Sequence, residues 1–185
     1  MFTKHNKRVR EDAFALTEIL MVMGISSILM LALTCFFMLS SRSFVAFFNY
    51  VDLDDGNRVA MDILSRDIRQ SRRVSEYSND GKRLVLEDSD LSSIVYDYDS
   101  TNRTLTRIKG TESRVMLSEC DSLAFDLRKR TPIRGTYEFY PPASTEVTNA
   151  KIIDVAWLCS RKIFGRKENT ESVQTARIVI RKQGT

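Results

Sequence analysis

Histidine is almost missing from this sequence, with His5 the only one. The three cysteines, Cys35, Cys120 and Cys159, form no CxxC pair and stand beside no histidine, so no spacing suggests a metal site. There is no GxSxG, HExxH, Walker loop or GxGxxG. An enzyme reading has no constellation to rest on, and no cofactor is expected. Two acidic pairs, Asp54/Asp55 and Asp88/Asp90, lack the loop pattern and ligand count that calcium requires and read as solvated turns. Proline is absent from Phe14 to Arg73, and that stretch holds only two glycines, Gly24 and Gly56. Gly24 reads as a close-packing position in an apolar helix. The segment Val51–Asn57 (VDLDDGN) weakens helix formation and is expected to bring a break or kink.

Charge is also missing where it matters most. From Phe14 to Leu39 the sequence reads FALTEILMVMGISSILMLALTCFFML, and Glu18 is its only charged residue. At ~1.5 Å per residue this run is long enough to cross a ~30 Å hydrocarbon layer. It exceeds a secretory signal core, and no small-residue cleavage site follows it. Lys4, Lys7, Arg8 and Arg10 precede the run, while Arg42 stands almost alone behind it. The positive-inside rule then places the N-terminus in the cytoplasm and the body outside. The formal net charge is +4, and residues 1–13 supply half of it. The remainder is nearly balanced, which gives no reason to expect nucleic acid as a partner.

The stretch from Arg10 to Leu20 (REDAFALTEIL) resembles the type IV prepilin, or class III, signal. That signal has a short basic leader, a small residue before the cut, an aromatic first mature residue, a Glu four positions on, and an apolar helix. The resemblance implies cleavage between Ala13 and Phe14 by prepilin peptidase, N-methylation of Phe14, and assembly into a filament. Two departures are visible: Ala13 stands where the family prefers Gly, and Ala15 and Thr17 stand where Thr and an aliphatic residue are common. Cutting would leave an ammonium on Phe14. In a stack of subunits Glu18 would pair with a neighbour's ammonium and set the register, since a carboxylate left unpaired in low dielectric is costly.

Further on, NRVAMDILSRDIRQSRRV is amphipathic. Ala60, Leu64 and Ile68 recur every four residues with Val59 and Ile63 beside them, and Asp62 precedes Arg66 by four. The run Arg58, Ala60, Met61, Asp62, Leu64, Ser65, Arg66, Asp67, Ile68 and Arg69 resembles the corresponding helix of the GspJ/PilW-like minor pilins and type II secretion pseudopilins. The resemblance implies as partners the prepilin peptidase/methyltransferase, other pilin or pseudopilin subunits, an inner-membrane assembly platform and membrane lipid. It implies a single-pass protein of the inner membrane. Two other readings stay open: a tip module that binds DNA, a surface or a secreted substrate, and a membrane-anchored domain that is never processed.

After residue 75 the pattern turns to short strands. Candidates are Arg83–Glu87, Ser93–Tyr98, Thr104–Ile108, Arg114–Leu117, Ser122–Leu127, Gly135–Tyr140, Ile152–Cys159 and Ala176–Arg181, with a hairpin turn at Asn79-Asp80-Gly81. Ile94/Tyr96/Tyr98 and Leu123/Phe125/Leu127 alternate plainly. Pro141-Pro142 opens a polar loop through Asn149, and Gly165–Ser172 reads as a mobile loop. Lys162, Arg166 and Lys167 near Phe164 read as a solvated basic cluster. Tyr137, Phe139 and Tyr140 read as core and sheet edge, and Trp157 as core. Cys120 and Cys159 form a candidate disulfide if the body lies outside the cytoplasm. The expected fold is α+β: a long N-terminal helix, membrane-spanning in its first half and amphipathic in its second, packed on an antiparallel sheet. The expected segments are a leader (1–13), an assembly helix (14–41), its amphipathic continuation (42–75) and a β-rich body (76–185).

Overall fold

The computed structural model describes residues 5–78, 80–130, 139–142, 144–161 and 171–181; the side chains of 5–15, 130, 139, 140, 144 and 145 are outside that description. The chain divides into two units, Met1–Val45 and Ala46–Thr185. The first consists, where described, of helix α1, which is assigned over His5–Gln70. The second holds the last part of α1 and nine strands: β1 (Arg73–Tyr77), β2 (Arg83–Glu87), β3 (Ser93–Asp99), β4 (Thr104–Lys109), β5 (Glu112–Leu117), β6 (Cys120–Arg130), β7 (Phe139–Tyr140), β8 (Ile152–Ser160) and β9 (Glu171–Val179). A 3₁₀ segment covers Ser144–Asn149, inside the stretch expected as a polar loop.

The strands form two antiparallel sheets rather than one, ordered β1-β2-β3-β4-β5 and β7-β6-β8-β9. The division falls at Glu119, whose φ of 61° turns the chain out of β5. From there β6 pairs with β8 instead of β5. Backbone bonds still join the sheets. The β1–β2 turn reaches β6, with the Phe125 amide donating to the Gly81 carbonyl at 2.9 Å. Gly81 has φ +71°, and a Cβ there would stand 3.0 Å from the Phe125 carbonyl oxygen. Only glycine meets both demands without strain.

The stretch Val51–Asn57 is helical throughout, so the expected break does not occur. Tertiary contacts override its weak propensity. Leu53, Asn57, Ala60, Leu64 and Asp67, at alternating spacings of four and three, form one buried stripe with Ile68, four residues after Leu64. Asp54 pairs with Arg58 at 2.8 Å and accepts bonds from Ser172 and Gln174 on β9. It is therefore no solvated turn. The i,i+4 pair forms here, while Asp62 and Arg66 are exposed and make no such pair among the described residues. Val59 is exposed rather than part of the apolar face.

The helix ends at Gln70, short of the expected 75. The Ser71 amide makes a last bond to Asp67 at 2.9 Å, and its hydroxyl donates to the Ile68 carbonyl at 2.7 Å. This satisfies a terminal acceptor that would otherwise be buried bare. Val74 is then free to enter β1, where it is fully buried opposite Leu86.

One polar group pins the helix to the first sheet. The Tyr96 hydroxyl donates to Asp67 Oδ2 at 2.6 Å, and Arg107 Nε donates to the same oxygen at 2.6 Å. Tyr96 is fully buried and Asp67 nearly so. Burial, and then the bond to Asp67, pushes the Tyr96 phenol far above its usual range, so it remains a donor. Removing one partner of a buried ion pair strands the other, at a cost of ~3–5 kcal/mol. We expect Asp67→Ala to lose about that much stability in urea unfolding of the detergent-solubilised chain. Val59→Ala, an exposed control on the same helix, should change it by less than ~0.5 kcal/mol.

Two carboxylates make stability depend on pH. The Lys109 ammonium bonded to Asp88 holds that carboxyl below its usual value. At Asp154 the Arg177 guanidinium, with Arg128 behind it, does the same. A carboxyl depressed in the folded state contributes stability above its unfolded pKa of ~3.9 and loses it as pH falls through the folded value. The melting temperature should therefore drop below about pH 4. The double variant Asp88→Asn/Asp154→Asn should show a shallower drop.

Candidate functional site

The apolar part of α1 is the feature least accounted for by the fold. From Leu16 to Leu39 its large side chains stand 54–73% exposed. No part of the most apolar window is buried, and the helix is long and apolar enough to cross a membrane. An uncovered apolar surface of this extent is far beyond what a soluble monomer presents to water. Its polar side chains are suited to lipid. The hydroxyls of Ser26, Ser27 and Thr34 donate to the carbonyls of Met23, Gly24 and Met30 at 3.1, 2.8 and 2.8 Å. In hydrocarbon, where water offers no partner, such back-bonding satisfies them. Among the described residues nothing lies within 4 Å of a Cβ built on Gly24, so none of them packs closely there.

Glu18 projects from this surface. It is exposed, and among the described residues no cationic side chain is paired with it. Ala13 and Phe14 lie in helical backbone one turn earlier, and their side chains are outside the described residues. Tyr137, Lys162, Phe164, Arg166, Lys167, residues 165–170 and Asn79 of the first turn also lie outside them. Phe139–Tyr140 is an edge strand on β6, as its reading implied. Trp157 is core, and β9 begins at Glu171, inside the segment read as a loop. No cluster able to hold a metal occurs among the described residues.

In the body, a polar corner gathers side chains that sequence reasoning did not single out. Arg103, at φ 56° in the β3–β4 turn, donates to the carbonyls of Glu119 and Ser160 at 2.9 and 2.6 Å. It also pairs with Asp121 at 2.7 Å, while the Ser160 hydroxyl donates to the same carboxylate. Arg161 bridges Glu119 and Asp52 of the helix at 2.7 and 2.9 Å. No local pattern signals this corner, because its members come from four separate segments. Its cations are neutralised in place, so it reads as a clamp rather than a ligand site. The outer face of β6, β8 and β9 carries a shallow depression of about 430 Å³ beside Ala124, Ala156 and Thr175. Its main polar groups, Asp154 and Arg177, are already bonded to each other.

Cys120 and Cys159, separate in the sequence, are brought directly opposite each other on β6 and β8. Both are fully buried and both are free thiols in this structure.

No family model matches this chain, and no curated protein matches it either.

The apolar surface fixes one expectation. An arginine near the middle of a span costs ~2.5–3.5 kcal/mol on insertion. Ile25→Arg/Leu29→Arg should move the chain out of the carbonate-resistant membrane pellet, whereas Ile25→Leu/Leu29→Ile should stay in it.

Proposed function

We propose that this chain is a minor pilin or pseudopilin: a single-pass inner-membrane protein, cut between Ala13 and Phe14, N-methylated at Phe14, and drawn into a filament of like subunits. The observation that carries the reading is the bare apolar helix with one carboxylate on it, Glu18, placed one helical turn after Phe14. In a plain anchor this carboxylate would only sit hydrated at the membrane interface, near the end of the span. In a filament, a neighbour's Phe14 ammonium supplies its partner. Helices stacked in this way also cover the side chains from Leu16 to Leu39 after they leave lipid. The body then lies outside the cytoplasm, consistent with the basic residues ahead of the span. Prepilin peptidase, other subunits, the assembly platform and lipid are the partners of this reading, and it calls for no catalytic group.

The machine it serves is a type II secretion pseudopilus or a type IV pilus, and the likeness to the GspJ-like proteins leans toward the former. Ala13 before the cut supports a second reading, an unprocessed anchored domain.

Glu18→Ala separates the two. If Glu18 sets assembly register, the variant should enter the membrane at the normal level. It should fall at least ~100-fold in the sheared filament fraction, given the cost of stranding the ammonium. Incorporation of Glu18→Ala at the native level would sink the assembly role.

A further inference from the structure

We infer that Cys120 and Cys159 are the two halves of a structural disulfide, which closes while the body folds and is then sealed inside it. The inference rests on the extracytoplasmic placement of the body in the reading above.

The hydrogen-bond pattern identifies the kind of pairing. The Ser160 amide donates to the Glu119 carbonyl at 3.0 Å, and the Cys120 amide turns away to the Arg103 carbonyl at 2.9 Å. A bond from the residue after Cys159 to the residue before Cys120 is the mark of a non-hydrogen-bonded pair. In a regular ladder that is the closer of the two antiparallel sites, with Cα atoms ~4.5 Å apart; here the register shifts immediately afterwards, between Cys120 and Ser122, and both side chains are buried. The spacing falls inside the range a disulfide spans. The Cys120 thiol donates to the Ser122 carbonyl at 3.3 Å. Bonding to Cys120, then burial, pushes the Cys159 thiol up.

Both cysteines are 0% exposed. The thiolate is the species that exchanges disulfides; the Cys159 thiol is pushed up and the Cys120 thiol beside it is pushed down by their mutual interaction, but with both fully buried neither is accessible to an exchange partner. Oxidation therefore belongs to the folding chain, before β6 and β8 are covered. The oxidant is of the extracytoplasmic dithiol/disulfide class. One cysteine thiolate attacks its disulfide, forming a mixed disulfide and releasing one oxidant thiol. The other cysteine attacks the mixed disulfide, forming the Cys120–Cys159 bond and releasing the second. Two thiols lose two protons and two electrons, and the oxidant is reduced to its dithiol. The bond ties β6 to β8 across the long connection between them, beside the Arg103–Glu119–Ser160 corner. Once buried it is a staple and not a switch.

The test is thiol counting on the full chain from its own cells. After acid quench and denaturation, free thiols are tagged with a maleimide polymer with and without prior reduction. The inference predicts one tag, on Cys35, before reduction and three after it. Three tags before reduction overturn it. A separate Ser113→Cys variant, on the exposed β5 edge, is tagged on intact spheroplasts with an impermeant maleimide. Labelling there together with three free native thiols overturns the staple alone. Absence of labelling places the body inside and overturns both the staple and the functional reading. Reduced folded chain in detergent should also oxidise in oxidised glutathione at least ~10-fold more slowly than chain diluted from denaturant. Equal rates would overturn the sealing.

Discussion

The apolar surface between Leu16 and Leu39 has to be covered by something other than this chain's own side chains. That requirement governs how the first unit is built. The backbone is helical, so its polar groups are satisfied internally. The serine and threonine hydroxyls turn back onto the same helix. A single carboxylate is retained, at a position where lipid alone gives it nothing. In a membrane, lipid would cover this surface; in the proposed filament neighbouring helices would do so, with Glu18 limiting the ways they can stack.

The same helix meets different physics from Ala46 onward. Here one buried stripe replaces an apolar cylinder, and polar contacts hold it in place. Asp67 takes hydrogen bonds from Tyr96 and Arg107. Asp54 holds Ser172 and Gln174 of β9, and Asp52 meets Arg161 beyond the end of β8. Three aspartates along one helical stretch thus reach both sheets. Apolar burial supplies most of the stabilisation, but it is non-directional. The carboxylates fix which rotation of the helix is used.

Much of this was legible in the sequence. The period-two alternation of Ile94, Tyr96 and Tyr98, and of Leu123, Phe125 and Leu127, gave strands with the buried face those residues occupy. The apolar run, with Glu18 its one charge, gave the candidate span. The failures have a common cause. Local propensity argued for a break at VDLDDGN, while the contacts that keep it helical come from β9 and from Arg161, more than 100 residues away. Val74, inside the segment expected to be helical through residue 75, sits opposite Leu86 in a strand. The second sheet was not legible because it depends on the turn at Glu119, an ordinary residue held at positive φ. Cys120 and Cys159 were visible as a pair, but the side-by-side register that gives the pair meaning is a property of the β6–β8 ladder alone.

The central claim is that this helix becomes a filament subunit only after its N-terminus is remade. The most direct measurement is the intact N-terminal mass of the protein from cells with and without prepilin peptidase. The account predicts a chain beginning at N-methyl-Phe14 in the first case and one retaining residues 1–13 in the second. A chain that keeps residues 1–13 in both would contradict it, and Glu18 would lose the partner assigned to it.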